Sequence, residues 1–137
     1  MTTTQHTYPC STAAVGSARA WLLSALAAQL PPHEQVTEVL DEAELVVSEL
    51  VTNAVLAACS TATVTVTTDP SCVRIGVADD APGRPTLLHA ATDAVRGRGL
   101  AIVCMLARDW GVSPVDQGGK EVWAEINLPP RVAELMR

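Results

Sequence analysis

The sequence predicts an α+β two-layer sandwich, in which a mostly antiparallel mixed sheet carries three helices on one face. Two long segments with helical periodicity come first. A hairpin of alternating segments follows, and a third helical segment precedes a second hairpin. Strands joined by hairpin turns pair antiparallel, so the helices between them pack together on one side of the sheet. Strand and helix do not alternate along the chain, as they would in a doubly wound fold.

The bulk composition restricts the class of protein. The chain has 137 residues, and we expect one domain over residues 1–137, with a core built mainly from Val, Leu, Ile and Ala because Phe is absent. The net charge of -6 and the lack of a basic stripe argue against nucleic acid as a direct partner. We find neither a signal peptide nor a run apolar enough to span a bilayer, and we therefore expect a cytoplasmic protein.

The four cysteines do not follow any CxxC spacing, and they stand in apolar or strand-like contexts. We therefore expect free buried thiols in a reducing cytosol, rather than disulfides or a zinc site.

The first and third helices have recognisable limits. Ser11 or Thr12 can cap the first helix, and Pro31 ends it because proline cannot continue the hydrogen-bonding pattern. The third helix is predicted over residues 100–110, with Cys104 among its buried residues.

Strict alternation of small or β-branched residues predicts the strand at residues 61–68. Asp69-Pro70-Ser71 supplies the turn of the first hairpin, and Gln117-Gly118-Gly119 joins the second. The predicted strands are a short one at residues 6–8, then 61–68, 72–79, 110–115 and 121–128. A short helix is expected after Pro129-Pro130.

The second helix, residues 41–58, carries the first candidate site. Its apolar arc, which also includes two residues just before this segment, consists of Val36, Leu40, Ala43, Val47, Leu50, Val51, Ala54 and Ala58. Glu49 and Asn53 stand one helical turn apart, roughly opposite the middle of that arc. Such a pair is either the ordinary exposed side of an amphipathic helix or a set of hard oxygen groups suited to a hydrated Mg²⁺.

Two later segments are also candidates. Asp79 to Gly83 breaks a strand with turn residues, and Gly97 to Leu100 opens a helix. A glycine-rich loop before a helix can bind an anion, because free backbone N–H groups and the positive end of the helix dipole face the same point.

Three segments in this order resemble the nucleotide-binding boxes of the histidine-kinase-like ATPases, the GHKL superfamily with the Bergerat fold. They are SELVTNAV, VADDAPGRP and GRGLAIV. The first helix and the final GGKEVWAEINL are similar to the small, single-domain branch that contains the anti-sigma-factor serine kinases of actinobacterial type. The resemblance covers roughly residues 8–128.

The resemblance implies binding of ATP and Mg²⁺. Asn53 would hold the Mg²⁺ through its amide oxygen, and Glu49 would act as general base or water-orienting group for phosphoryl transfer. Asp79 would accept a hydrogen bond from the adenine amino group. Further nucleotide-binding residues would be Gly83 at the adenine, and, around the phosphates, Arg96, Gly97, Arg98, Gly99 and Leu100.

The chain departs from the family pattern at several positions. Ala81 stands where the family usually has a glycine. Arg96 lies one place beyond the usual position of an arginine, which Val95 occupies. Glu121 occupies the strand position of a hydroxyl residue that often helps to hold the adenine, so we expect its carboxylate beside that of Asp79.

Two functions follow from the resemblance. In the first, the chain is an anti-sigma factor that also phosphorylates an anti-anti-sigma (STAS-type) protein on serine, and a homodimer is compatible with this reading. In the second, it is a nucleotide-binding or nucleotide-free interaction module without kinase activity.

Overall fold

The computed structural model describes residues 1–57, 59–81 and 102–137, and these confirm the predicted α+β architecture. The elements in chain order are β1 (Thr2–Pro9), α1 (Thr12–Gln29), α2 (Val36–Leu56), β2 (Thr61–Thr68), β3 (Cys72–Asp79), α3 (102–106), β4 (Asp109–Pro114), β5 (Lys120–Asn127) and α4 (Pro130–Leu135). None of the helices in these ranges is long and apolar enough to cross a membrane.

The five strands form one sheet in the order β1-β2-β3-β5-β4, and every neighbouring pair is antiparallel. α1 and α2 pack against each other, and both pack on the sheet. Alternate residues of β2 and β5 are buried, which is the pattern of strands with one face covered. The core therefore lies between the sheet and the helices, and it is built from aliphatic side chains such as Leu22, Leu26, Leu50, Ile75 and Ile126.

The β2–β3 hairpin has the predicted bounds. In its turn, Asp69 Oδ1 accepts hydrogen bonds from the Ser71 hydroxyl at 2.6 Å, the Ser71 backbone N–H at 2.7 Å and the Cys72 backbone N–H at 3.1 Å. These bonds, that from the Ser71 hydroxyl first, lower the pKa of Asp69, since they favour the charged carboxylate.

β1 is longer than the sequence predicted, because it pairs with β2 over its whole length, from Thr2 opposite Thr68 to Pro9 opposite Thr61. Threonine hydroxyls also bond across these two strands, at 3.1 Å for Thr3 and Thr67. A pairing of this kind depends on a distant segment, which a local pattern cannot show.

The cysteine prediction was wrong for one pair. Cys10 and Cys59 form a disulfide with Cα atoms 5.8 Å apart. The cause is the antiparallel register of β1 and β2, which brings the Cys10 N–H to 2.9 Å from the Ser60 carbonyl oxygen and so places Cys10 beside Cys59. Cys72 is a free buried thiol as expected, and its burial raises its pKa.

The described part of the third helix, α3, ends at residue 106, earlier than predicted, since Asp109 and Trp110 already belong to β4. Val103 lies in the core, whereas Cys104 is exposed and not buried as the sequence suggested. Ser11 is the N-cap residue of α1, but its side chain makes no capping hydrogen bond. The predicted C-terminal helix is confirmed as α4, with proline at its start, where a missing N–H costs little.

Candidate functional site

The candidate site lies at the end of the sandwich where α2 and β3 both finish. Asn53 is in the last turn of α2, and Asp79 is the last residue of β3. The chain leaves α2 and soon enters β2 at Thr61, and the next residue, Ala62, pairs with Asp79. The sequence-predicted carboxylate and amide therefore stand toward the same end of the fold.

Asp80, the residue after β3, is hydrogen-bonded to the start of β2. Its Oδ1 accepts hydrogen bonds from the backbone N–H groups of Ser60 at 2.7 Å and Thr61 at 3.2 Å. The bond from Ser60, followed by that from Thr61, lowers the pKa of Asp80. The start of β2 is thus tied to the residue that follows Asp79.

Asn53 is the most unusual side chain of α2, because it is only 5% exposed and yet both its amide atoms are unpaired within the described residues. The sequence placed Asn53 opposite the apolar arc. In the structure it lies at the edge of the buried face, since Val46 on that side is also fully buried. An unpaired buried polar group costs roughly 1–3 kcal/mol, so the fold carries a destabilising group at this point. Such a group is a candidate for pairing with a ligand.

Glu49 stands one helical turn before Asn53 and is partly exposed. The i to i+4 spacing puts both side chains on the same side of α2. Its neighbour on that side, Leu45, is 47% exposed. This side of α2 therefore combines a buried amide with a carboxylate that solvent can reach.

Asp79 forms a buried ion pair that the sequence reading missed. The Lys120 ammonium lies 2.9 Å from Oδ1 and 2.9 Å from Oδ2, and the two side chains are 6% and 1% exposed for Lys120 and Asp79. The backbone N–H of Ala81 also donates to Oδ1, at 3.0 Å. A carboxylate held in this way is already bonded to a cation inside the protein.

The expectation that Glu121 lies beside Asp79 was wrong. The register places Lys120 opposite Asp79 and Glu121 opposite Ala78. Successive side chains of a strand point to opposite faces, so Glu121 lies on the face away from the helices. There its carboxylate lies 3.4 Å from Arg74, whose guanidinium stacks on the ring of Trp123.

Gly119 permits the close approach of β5 to the end of β3. A Cβ built on Gly119 would overlap the backbone carbonyl oxygen of Asp79 and come within 3.1 Å of a Val115 methyl carbon. Only glycine fits at this point without movement of the backbone. The Gly118-Gly119-Lys120 sequence, with a glycine against the end of β3, is a signal that could have identified this lysine in advance.

The other predicted nucleotide-binding residues lie outside the described residues, and their roles stay predictions. They are Gly83, Arg96, Gly97, Arg98, Gly99 and Leu100.

The residues that are described fit a metal bound with a nucleotide. The Asn53 amide oxygen is a neutral, hard oxygen ligand, buried and without a partner in the described ranges. Mg²⁺ in phosphate-binding sites takes one or two protein ligands and completes its shell with phosphate oxygens and water. Asn53 would supply such a ligand, and Glu49 would supply a carboxylate within reach of solvent.

Comparison with known proteins agrees with this fit. A family model described as a histidine kinase-like ATPase domain matches residues 8–126, which is most of the chain. No curated protein sequence matches significantly. A domain of this type implies ATP binding, usually with Mg²⁺, in keeping with a regulatory ATP-binding function. The chain belongs to the histidine kinase-like ATPase domain family.

Proposed function

We propose that this ATPase-type domain is a cytoplasmic anti-sigma factor with serine/threonine kinase activity toward an anti-anti-sigma protein of the STAS type. The observation that carries the nucleotide part of this proposal is the buried amide of Asn53, which has no hydrogen-bond partner in the ranges that the structure describes. The proposed partners are a sigma factor, the anti-anti-sigma protein and a second copy of the chain in a homodimer. Neither nucleic acid nor membrane is a proposed partner.

Two residues of α2 would have separate roles, one as a ligand of the metal and one as an acceptor of the proton. Asn53 would hold Mg²⁺ through Oδ1, and Glu49, which is partly exposed, would accept the proton of the attacking serine hydroxyl. The metal, when bound, neutralises charge on the phosphates. Arg96, Arg98 and the Gly97 to Leu100 loop, by resemblance, would bind the phosphates.

Nucleotide binding is tested by isothermal titration calorimetry with ATP, with and without Mg²⁺. We expect binding in the micromolar range that Mg²⁺ strengthens. Asn53→Ala should lose the Mg²⁺-dependent part of the binding, whereas Thr52→Ala, a change at the preceding residue of α2, should keep it. Equal binding by both variants would remove Asn53 from the metal site.

Phosphoryl transfer is tested by incubating the protein with labelled ATP and a candidate STAS-type protein and following label on serine. Glu49→Gln preserves the shape of the side chain, and we expect it to bind ATP normally while losing roughly 10²–10⁴-fold in transfer rate. Glu44→Gln, on a different side of α2, is the control. Unchanged transfer by Glu49→Gln would exclude Glu49 as the base.

A second function is favoured by the ion pair of Asp79 with Lys120, because the proposed adenine acceptor already has a cationic partner. In that case the domain would act through partner binding alone, without kinase activity. Mass spectrometry of the purified protein distinguishes the two, since copurified ADP or ATP supports the nucleotide site. Partner binding that is unaffected by ATP and Mg²⁺ would favour the interaction module.

A further inference from the structure

β1 is an edge strand whose outer side has no partner strand in the part of the chain that the structure describes. Seven of its eight residues are exposed, and it contains no Asp, Glu, Lys or Arg. The opposite edge strand, β4, is shorter and has Asp109 at its start and Pro114 at its end, two features that discourage pairing with another chain. In β1 only Pro9, at the end, gives similar protection, so Thr2 to Tyr8 are open to a further strand.

The backbone groups on the outer side of β1 belong to alternate residues. The Cys10 N–H donates to the Ser60 carbonyl oxygen at 2.9 Å, so Cys10 and Ser60 form a hydrogen-bonded pair just beyond the end of β1. In an antiparallel ladder such pairs alternate with pairs whose N–H and C=O groups point away from each other. The residues whose backbone groups point away from β2 are therefore Thr3, Gln5 and Thr7. Each offers one donor and one acceptor to a further strand.

The side of α1 next to this edge is uncharged, although a helix side that faces water normally carries charges. The one charged residue of α1, Arg19, points to α2, where its Nε lies 3.0 Å from the Ser48 hydroxyl. Trp21 stands two residues later and so points roughly the opposite way, with its ring 6.0 Å from that of His6 in β1. The residues on this side of α1 are spaced like those that face another helix: Ser17, Trp21, Ser24 and Ala28.

We propose that β1 pairs antiparallel with β1 of a second copy of the chain, so that two five-stranded sheets join into one and the two α1 helices pack across the join. This inference rests on the proposed function for the homodimer, and it identifies the surface through which the homodimer forms. A second copy fits this edge because a two-fold axis sets neutral residues opposite each other, without like charges.

The outward residues determine the register of this pairing. With Gln5 on the two-fold axis, Gln5 faces its counterpart, and Thr3 faces Thr7 of the second copy. Each such pair exchanges two hydrogen bonds, so about six bonds join the two strands. Other registers either shorten the pairing or bring Pro9, which has no N–H, opposite Thr3, whose carbonyl oxygen then lacks a donor.

The helices fit the same arrangement. α1 packs on both β1 and β2. Neighbouring strands lie about 4.8 Å apart, so two helices that are each centred over β1 and β2 lie about 10 Å from each other once the β1 strands pair. This is close to the distance at which helices pack together. Strand pairing therefore brings the uncharged sides of the two α1 helices into contact.

Sedimentation equilibrium of the full chain tests the strand pairing. We expect the wild type to dimerise, and Gln5→Glu and Gln5→Lys each to weaken the dimer by at least about tenfold, since like charges then meet on the axis. An equimolar mixture of the two variants should restore the dimer, because Glu then faces Lys. Thr65→Glu, which puts the same charge on the open face of β2, is the control and should dimerise like the wild type.

A matched pair of variants tests the helix contact. Ser24→Glu places a charge on the side of α1 that carries Trp21, and we expect it to weaken the dimer by at least about tenfold, because the charge is buried between the helices. Ala27→Glu, at an exposed residue pointing to a different side of α1, should have no such effect.

The outcomes separate this interface from the proposed nucleotide site. A wild type that stays monomeric at about 100 μM, or a dimer that persists in folded Gln5→Glu, overturns the interface. Equal loss in Thr65→Glu also overturns it, and indicates docking through the open face of the sheet. If circular dichroism shows that Gln5→Glu does not fold, Ser24→Glu against Ala27→Glu decides. Calorimetry with ATP on the same wild-type sample tests the nucleotide site by itself, whatever the oligomeric state.

Discussion

The buried pair of Asp79 and Lys120 makes a quantitative prediction about stability. Both Nζ to carboxylate oxygen distances are 2.9 Å, and the side chains are 6% and 1% exposed, so water screens the pair very little. Removing one partner of such a pair leaves the other charged and buried, which costs roughly 3–5 kcal/mol. We therefore expect Asp79→Asn and Lys120→Met each to lower the free energy of unfolding by about this amount.

The double variant, Asp79→Asn with Lys120→Met, distinguishes the interaction between the two groups from the effect of leaving one charge buried alone. With both charges gone, no buried charge lacks a partner, and replacing a buried pair by neutral side chains is often close to neutral. The combination should thus be more stable than either single variant. Urea denaturation in the absence of nucleotide measures all four proteins, with the m-value checking that the unfolded states are comparable.

A surface pair provides the control. Arg19 and Glu44 lie 3.8 Å apart with side chains 42% and 41% exposed, so Glu44→Gln should change the stability by no more than about 1 kcal/mol. If the effects of Asp79→Asn and Lys120→Met simply add, or if each is as small as that of Glu44→Gln, the two groups do not form a buried pair in solution.

Three further predictions concern the scaffold. Hydrogen bonds to the charged carboxylates lower the pKa values of Asp69 and Asp80 from 3.8 in the folded state. These hydrogen bonds therefore contribute stability above that pH, and the contribution is lost as the pH falls through the lowered pKa values. The urea midpoint should therefore drop on acidification below about pH 4, and less steeply when both residues are Asn; an equal slope would contradict this origin. Gly119→Ala should destabilise the protein by about 1–3 kcal/mol in the same assay, because the added methyl overlaps the backbone at the end of β3, and an unchanged midpoint would show that the contact is looser. Iodoacetamide added to the native protein without reductant should modify the exposed Cys104 and spare Cys72, whose pKa is raised by burial; peptide mass spectrometry reads this out, and equal modification of both would contradict the assigned burial.

The architecture could be predicted from the sequence because its signals are local. Alternation of threonine with valine gives β2 its bounds, and the turn chemistry at Asp69 gives the hairpin. The predicted limits of β1 and α3 were less accurate. β1 owes its length to pairing with a strand far along the chain, and the segment after α3 pairs with β5.

The candidate site was predictable only in part, for the same reason. Asn53 and Asp79 could be selected by their residue type and position in motifs. That Asp79 meets Lys120 and not Glu121 depends on the register between β3 and β5, and a shift of one residue exchanges the two faces of a strand. The burial of Asn53 likewise depends on how α2 sits on the sheet, which helical periodicity locates only to within part of a turn.

The Cys10–Cys59 disulfide gives the molecule two forms with different resistance to unfolding. It joins residues 49 positions apart and encloses both α1 and α2, so it reduces the freedom of the unfolded chain over that whole segment. For a loop of this length the chain-entropy model gives about 4 kcal/mol of stabilisation. In a reducing cytosol this contribution is absent, whereas in an oxidising solution it is present. Samples purified with and without reductant therefore differ in the tethering of α2, the helix that carries Asn53.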